Sequence, residues 1–215
     1  MLLSFLIINY MKNFKSILAI VILAAISYSC NNSAVQKMLE EPETGIIVSD
    51  ENKAKFEDQI NTFRTFTKAF HDEDINQLMS VVADSIQWSP PEYNGGETVG
   101  YDGFKAVVST YFENFDEITF NEAEGLIGSD NAYWSGHILN TSSLYSTGEI
   151  NTDPNVMRVY GTWVCQHTET GATVYNKWYA VLGFNDDGKI ATFSDWFDVT
   201  GMQTQIEKFV ESNQD

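Results

Sequence analysis

One stretch limits the fold more than any other: Tyr175 to Met202, YNKWYAVLGFNDDGKIATFSDWFDVTGM. Two runs rich in aromatic and β-branched residues, Tyr175 to Phe184 and Ile190 to Val199, flank Asn185-Asp186-Asp187-Gly188-Lys189. Asp187-Gly188 supplies the positive-φ positions of a primed turn, so the spacing predicts a long β-hairpin. The second strand ends in Ser194-Asp195-Trp196-Phe197-Asp198, two carboxylates set among large aromatics. Any chemistry is expected at that ending, with the rest of the chain curving a sheet around it.

Upstream, Phe56, Ile60, Phe63, Thr67 and Phe70 recur in steps of four and three, which places them on one stripe of a helix over Glu51 to Phe70. Asp74 can cap a second, short helix that buries Ile75, Leu78, Met79 and Val82. A strand over Asp84 to Ser89 is stopped by Pro90-Pro91. A Gly-rich loop follows; its Gly95-Gly96 lacks the lysine of a phosphate loop. Tyr101 to Phe115 predicts a third helix with Phe104, Val107, Val108, Tyr111 and Phe112 on its apolar side. Strands are expected at about Ile118–Ile127, Ala132–Leu144, Val156–Thr168, Thr173–Phe184 and Ile190–Val199, then a short helix over Gln203 to Glu211. The long connection from Ser142 to Asn155 is a candidate lip over a pocket. Helices first and antiparallel strands afterwards is an α+β order. A single sheet of this size twists strongly, so its concave side is either covered by the three early helices or left as a cavity.

The N-terminal region reads as a leader. Met11-Lys12-Asn13-Phe14-Lys15 is a basic n-region, and Ser16 to Ile26 is an apolar stretch of signal-peptide length. Ser27-Tyr28-Ser29-Cys30 resembles a bacterial lipobox, which implies cleavage before Cys30 and acylation there. Residues 1–30 are therefore expected to be a signal peptide, with Met11 as the true start and an uncleaved anchor helix as the alternative, since Met1 to Tyr10 is also apolar; residues 31–50 are expected to be a polar, acidic tether. The expected location is the bacterial envelope, lipid-anchored and facing the periplasm. Twelve basic against thirty acidic residues give a net charge of -18. A surface of that sign repels phosphate backbones, which disfavours nucleic acid as a partner, and touches the membrane through the lipid alone.

The whole order of elements from Glu51 to Glu211 resembles the SnoaL-like branch of the nuclear transport factor 2-like superfamily. The features that carry the resemblance are a Trp-bearing strand, a helix opening Tyr101-Asp102-Gly103-Phe104, and the pattern Phe-x-x-Asp-Gly-Lys-Ile-x-x-x-x-Asp-x-Phe-Asp from Phe184 to Asp198. The resemblance implies an α+β cone over residues 51–212, a strongly bent antiparallel sheet wrapped around N-terminal helices and a pocket. It also implies a homodimer formed through the outer sheet face. Isomerases, cyclases and hydrolases share this fold with members of no known reaction, so the fold does not select an activity.

Asp195 is the leading candidate for general acid or base. On a strand it shares a face with Ala191, Phe193 and Phe197, and a carboxylate among aromatics has its charged form disfavoured. Its position matches the catalytic aspartate in the strand ending of limonene-type epoxide hydrolases, but the Arg-x-Asp pair those enzymes use is absent from Val156 to Thr168. The plainer reading of Asp195 is a hydrogen-bonded cavity carboxylate without turnover. A couple between His167 and Asp195 would resemble the acid–base apparatus of polyketide cyclases; a packed sheet histidine is the alternative. Tyr133, Tyr160, Tyr175 and Tyr179 could supply a phenol, and no spacing selects one. Asp198 is expected to bond the backbone of the following turn or helix. Trp88, Tyr111, Trp134, Trp163, Trp178, Phe193 and Phe197 are candidate pocket-lining residues, with burial in a solid core as the alternative. His71, His137 and His167 show no metal-ligand spacing, Cys165 has no nucleophile motif, and neither metal nor cofactor is expected. The reading that follows is an envelope lipoprotein whose cone binds a small, partly apolar molecule. The alternatives are an isomerase, cyclase or hydrolase using Asp195, and a protein-interaction module.

Overall fold

The computed structural model describes residues 47–135, 152–154 and 156–213. Cys30, the leader, nearly all of the tether, His137 and most of the expected lip lie outside them. All the elements below belong to the unit running from Val48 to Asp215.

Helix α1 (Asp50–His71) starts where the Ser49 hydroxyl accepts the Asn52 N–H, with Asp50 and Glu51 in the first turn and Lys68 and His71 in the last, as the helix dipole favours. It buries Gln59, Phe63, Phe66 and Ala69, while Phe56, Ile60 and Phe70 pack at its flanks. The stripe is thus turned slightly from the expected one: Phe66 and Gln59 point inward and Thr67 does not. Helix α2 (Ile75–Ser80) is capped by Asp74, whose Oδ1 accepts from the Asn76 and Gln77 N–H groups at 3.0 Å. Strand β1 (Val82–Ser89) leads through the Pro- and Gly-rich loop to helix α3 (Tyr101–Asn114).

The remaining strands are β2 (Phe115–Glu122), β3 (Tyr133–Ser135), β4 (Val156–His167), β5 (Thr173–Phe184) and β6 (Ile190–Phe197), followed by helix α4 (Val199–Ser212). They form a sheet in the order β1-β6-β5-β4-β2, with β3 also paired to β4. The sheet is mixed rather than antiparallel throughout. β1 runs parallel to β6, because the crossover from β1 through α3 and the meander returns the chain in the same direction. Irregularities in the β1–β6, β2–β4 and β5–β6 registers bend the strands and curl the sheet; Glu117, at φ 53°, sits at the one in β2.

The β5–β6 hairpin forms where expected but with a different turn. Only Gly188 has positive φ, at 73°, and the Asn185 side chain accepts from the Asp187 and Lys189 N–H groups. Asn185 therefore does by side-chain bonding what a second positive-φ residue would do in a primed turn. Helix α4 begins at Val199, earlier than expected, because the Asp198 carboxylate caps it by accepting the Gly201 N–H at 2.8 Å.

Helix α1 lies across the inner face of the sheet: the Phe63 ring stacks on Trp178 at 5.8 Å and meets Phe120 edge-on at 5.6 Å. At one end of that face Leu78, Val82, Met157, Val159, Leu182 and Ile190 are all fully buried. Gly161 belongs to the same wall. It faces Trp178 across the ladder, and the Phe120 ring occupies the place a β-carbon would take.

Candidate functional site

Strand alternation along β6 turns Phe193, Asp195 and Phe197 inward and leaves Trp196 outside, 52% exposed. The two strands beside β6 each supply one indole to Asp195. Trp88 of β1 pairs in register with Phe193, two residues before Asp195; Trp178 of β5 pairs with Phe197, two residues after it. The Trp88 Nε1–H donates to Oδ1 at 2.9 Å and the Trp178 Nε1–H donates to Oδ2 at 3.0 Å. Each carboxylate oxygen thus has one fixed donor and at least one further lone pair for another partner.

Asp195 is only 6% exposed. Burial disfavours its charge and pushes the carboxyl up to about 6, with the two indole bonds and a backbone N–H pulling the other way. The competition leaves both protonation states accessible near neutral pH. Among the described residues, no Arg, Lys or His lines the space beside it.

That space is a cavity of about 100 Å³ at the other end of the inner face, between the sheet, α3 and the start of α4. Trp88, Phe104, Trp163, Trp178, Phe193 and Phe197 supply most of its apolar wall, and their rings brace one another: Trp88 meets Phe104 at 5.3 Å, and Trp163 meets Trp178 at 6.0 Å. A cavity needs roughly 10–15 Å³ to hold one water, so this one has room for a small organic molecule. Besides Asp195 and the indole N–H groups, its polar groups among the described residues are the Tyr111 hydroxyl, the Asn176 amide and the Cys165 thiol. Burial, and after it the charge of Asp195, pushes the Tyr111 phenol up to about 12, so it stays a proton donor. Burial likewise holds the Cys165 thiol up at about 11, which keeps it from acting as a thiolate.

Of the seven residues expected to line a pocket, Trp88, Tyr111, Trp163, Trp178, Phe193 and Phe197 meet in this cavity. Trp134 does not. It pairs with Arg158 of β4 rather than with an inward-facing position, and its ring packs edge-on against Tyr160 at 5.5 Å on the outer face. His167 is not beside Asp195 either. Through the ladder Asp195 faces Ala180 and Ala180 faces Val159, eight residues before His167, which is roughly 26 Å of strand. The His167 ring instead bonds Thr170 at 2.9 Å and packs on Phe115, which is a turn-stabilising role. Among the phenols weighed, Tyr133 donates to Glu122 at 2.6 Å, where Arg64 also binds by both nitrogens, while Tyr160 and Tyr175 are exposed. The phenol of the cavity is Tyr111.

Sequence reasoning missed Asn176. The signal was its phase: on β5 it alternates inward with Val174 and Trp178, an amide in an apolar row.

The site is thus an apolar cavity with a doubly anchored carboxylate, inside a curled sheet closed by helices. The chain belongs to the SnoaL-like family: a model of the SnoaL-like domain matches residues 63–193. No curated protein sequence is similar enough to count as a relative. Among solved structures, PrhC from Penicillium brasilianum aligns over 74% of this chain and 92% of its own, at 9% identity and a TM-score of 0.52. AclR from Streptomyces galilaeus aligns over 71% and 98%, at 11% identity and a TM-score of 0.50. A protein of unknown function from Burkholderia pseudomallei, described as nuclear transport factor 2-like, aligns over 69% and 97% at 21% identity and a TM-score of 0.47. At these identities the likeness concerns the fold alone.

Proposed function

We propose that the domain binds one small, largely apolar molecule in this cavity and that Asp195 holds the molecule's polar group. The observation that carries the reading is a carboxylate fixed by an indole N–H on each oxygen inside an otherwise aromatic wall. With no cation among the described lining residues, Asp195 favours a ligand that brings a hydrogen-bond donor and repels one that brings a negative charge. Native mass spectrometry of the full chain purified from its source tests this: a retained apolar molecule is expected, and Asp195→Asn is expected to lose it. An empty wild-type cavity that also fails to bind simple phenols defeats the proposal.

One observation favours a second reading, acid–base turnover of the isomerase, cyclase or hydrolase kind. A carboxyl lifted to about 6 can both accept and return a proton near neutrality. Under this reading turnover of the retained molecule follows the ionisation of Asp195, and a rate unchanged in Asp195→Asn defeats it.

Two further proposals concern where and how the domain is held. The lipobox-like ending at Cys30 supports a lipid-anchored protein of the bacterial envelope, which mass measurement of the mature N-terminus tests. The aromatic row on the outer sheet face, with Tyr160 and Trp196 exposed and Tyr179 half-buried between them at 4.5 Å and 5.4 Å, supports a homodimer through that face. Sedimentation of the full chain as a monomer at micromolar concentration defeats it.

A further inference from the structure

Four polar side chains are buried among the described residues: Gln59, Thr162, Asn176 and Asp195. Three of them have protein partners. The Gln59 amide donates to the Pro154 carbonyl, although its Oε1, outside the cavity lining, has no partner among the described residues; the Thr162 hydroxyl donates to the Glu124 carbonyl at 3.0 Å, and Asp195 accepts from two indoles. Asn176, 7% exposed, is the exception. No hydrogen bond joins its amide to another described residue; the side chain lines the cavity and the amide atoms stay accessible from it. A buried amide is ordinarily satisfied, and one left without a protein partner at the edge of a hollow is a recognition group awaiting its complement.

Its place in the ladder sets what it can reach. Asp195 faces Ala180 of β5, and Asn176 lies four residues further along that strand, roughly 13 Å away. The rings of Trp178, Phe197 and Trp163 lie along that wall. The backbones of Asp195 and Asn176 are therefore well apart along the wall, with aromatic surface between them. The amide offers both a donor and an acceptor, which suits a hydroxyl or a carbonyl.

We propose that Asn176 is a second recognition residue of this cavity, so that the molecule bound is elongated, apolar in its middle and oxygenated at both ends. This rests on the reading of the cavity as a binding site, and it narrows the ligand class. An apolar molecule with a single polar end leaves Asn176 facing hydrocarbon.

The test compares 4-phenylphenol with 4,4′-dihydroxybiphenyl on the full chain, with affinity read from tryptophan fluorescence. Wild type is expected to bind the diphenol roughly five- to tenfold more tightly, the yield of one added hydrogen bond. Asn176→Leu is expected to bring that ratio to one. Its ligand-free melting temperature holds or rises, because an unbonded buried amide has gone; a structural amide would lower it. Asn176→Ser, a smaller change in the same position, keeps part of the ratio and serves if the leucine variant does not fold. Equal affinities in wild type, or a ratio that survives in Asn176→Leu, overturn the proposal. If Asp195→Asn still weakens both phenols, the one-ended reading of the site stands alone. If neither phenol binds wild type, both readings fall together.

Discussion

The two ends of the sheet's inner face are made from neighbouring stretches of the same strands, yet one is filled and the other hollow. At the filled end aliphatic side chains, Leu78, Val82, Met157, Leu182 and Ile190, interlock until nothing is exposed. At the hollow end flat rings brace one another, edge to face as Trp88 does with Phe104 at 77° and Trp163 with Trp178 at 82°, or stacked as Trp88 is on Phe193 at 23°. Flexible aliphatics collapse into any space offered, whereas braced plates hold a wall open. Asp195, Tyr111 and Asn176 all face the hollow end, whereas the buried Gln59 and Thr162 bond backbone carbonyls outside it. Stability is thus concentrated at one end and recognition at the other.

The largest effect that tests this division is a cavity cut into the filled end. Leu182→Ala is expected to lower unfolding free energy by about 2–5 kcal/mol in a urea titration while leaving phenol affinity unchanged where the protein is folded. A large loss of affinity in the folded variant would show that the two ends are coupled.

Next is the pH term of Asp195. Its carboxyl titrates higher folded, at about 6, than the ordinary value of 3.8 it has unfolded. Its contribution to stability is therefore complete below about pH 4 and is lost as pH rises through 6, by roughly 3 kcal/mol in all. Acidic groups such as Glu122, held low chiefly by its bond from Arg64, tilt the profile the other way. The readout is therefore the difference between wild type and Asp195→Asn, whose melting temperatures should diverge with pH between 4 and 7. Parallel profiles would mean that Asp195 is not the buried titrating group.

A smaller change sharpens the assignment of its partners. Trp88→Phe removes the donor to Oδ1 and disfavours the ionised form, so the Asp195 midpoint followed by carbon NMR should move above its wild-type value. The expected loss of stability at pH 7 is about 1–3 kcal/mol. A midpoint that falls would contradict the geometry.

The smallest effect is expected outside. Trp196→Ser on the outer face should cost under about 1 kcal/mol and leave phenol binding untouched. If the dimer proposal holds, the same variant sediments as a monomer.

How much of this was legible in the sequence follows from the range of each interaction. Strand β5 runs from Thr173 to Phe184 as alternation and its flanking turns predict, and the inward phase of Asp195 follows from the same period of two. Local capping was legible too, since Asp74 and Asp198 bond amides two or three residues away. Register was not. Nothing local tells Trp88 that its acceptor lies 107 residues onward across a parallel pairing, or separates His167 from Asp195 along the sheet. Trp134 went to the outer face for the same reason. Asn176 was hidden differently, because a polar residue in an inward phase means either a bonded core amide or a free recognition group, and only the packing distinguishes them.

The parallel docking of β1 on β6 also sets when the pocket can exist. During synthesis Trp88 leaves the ribosome long before Asp195 is translated, and until then its indole has nothing to grip. The grip closes only after the final strand has emerged and met one of the earliest, so any fragment that stops short of that strand inherits the aromatic plates without the charge they were arranged to hold.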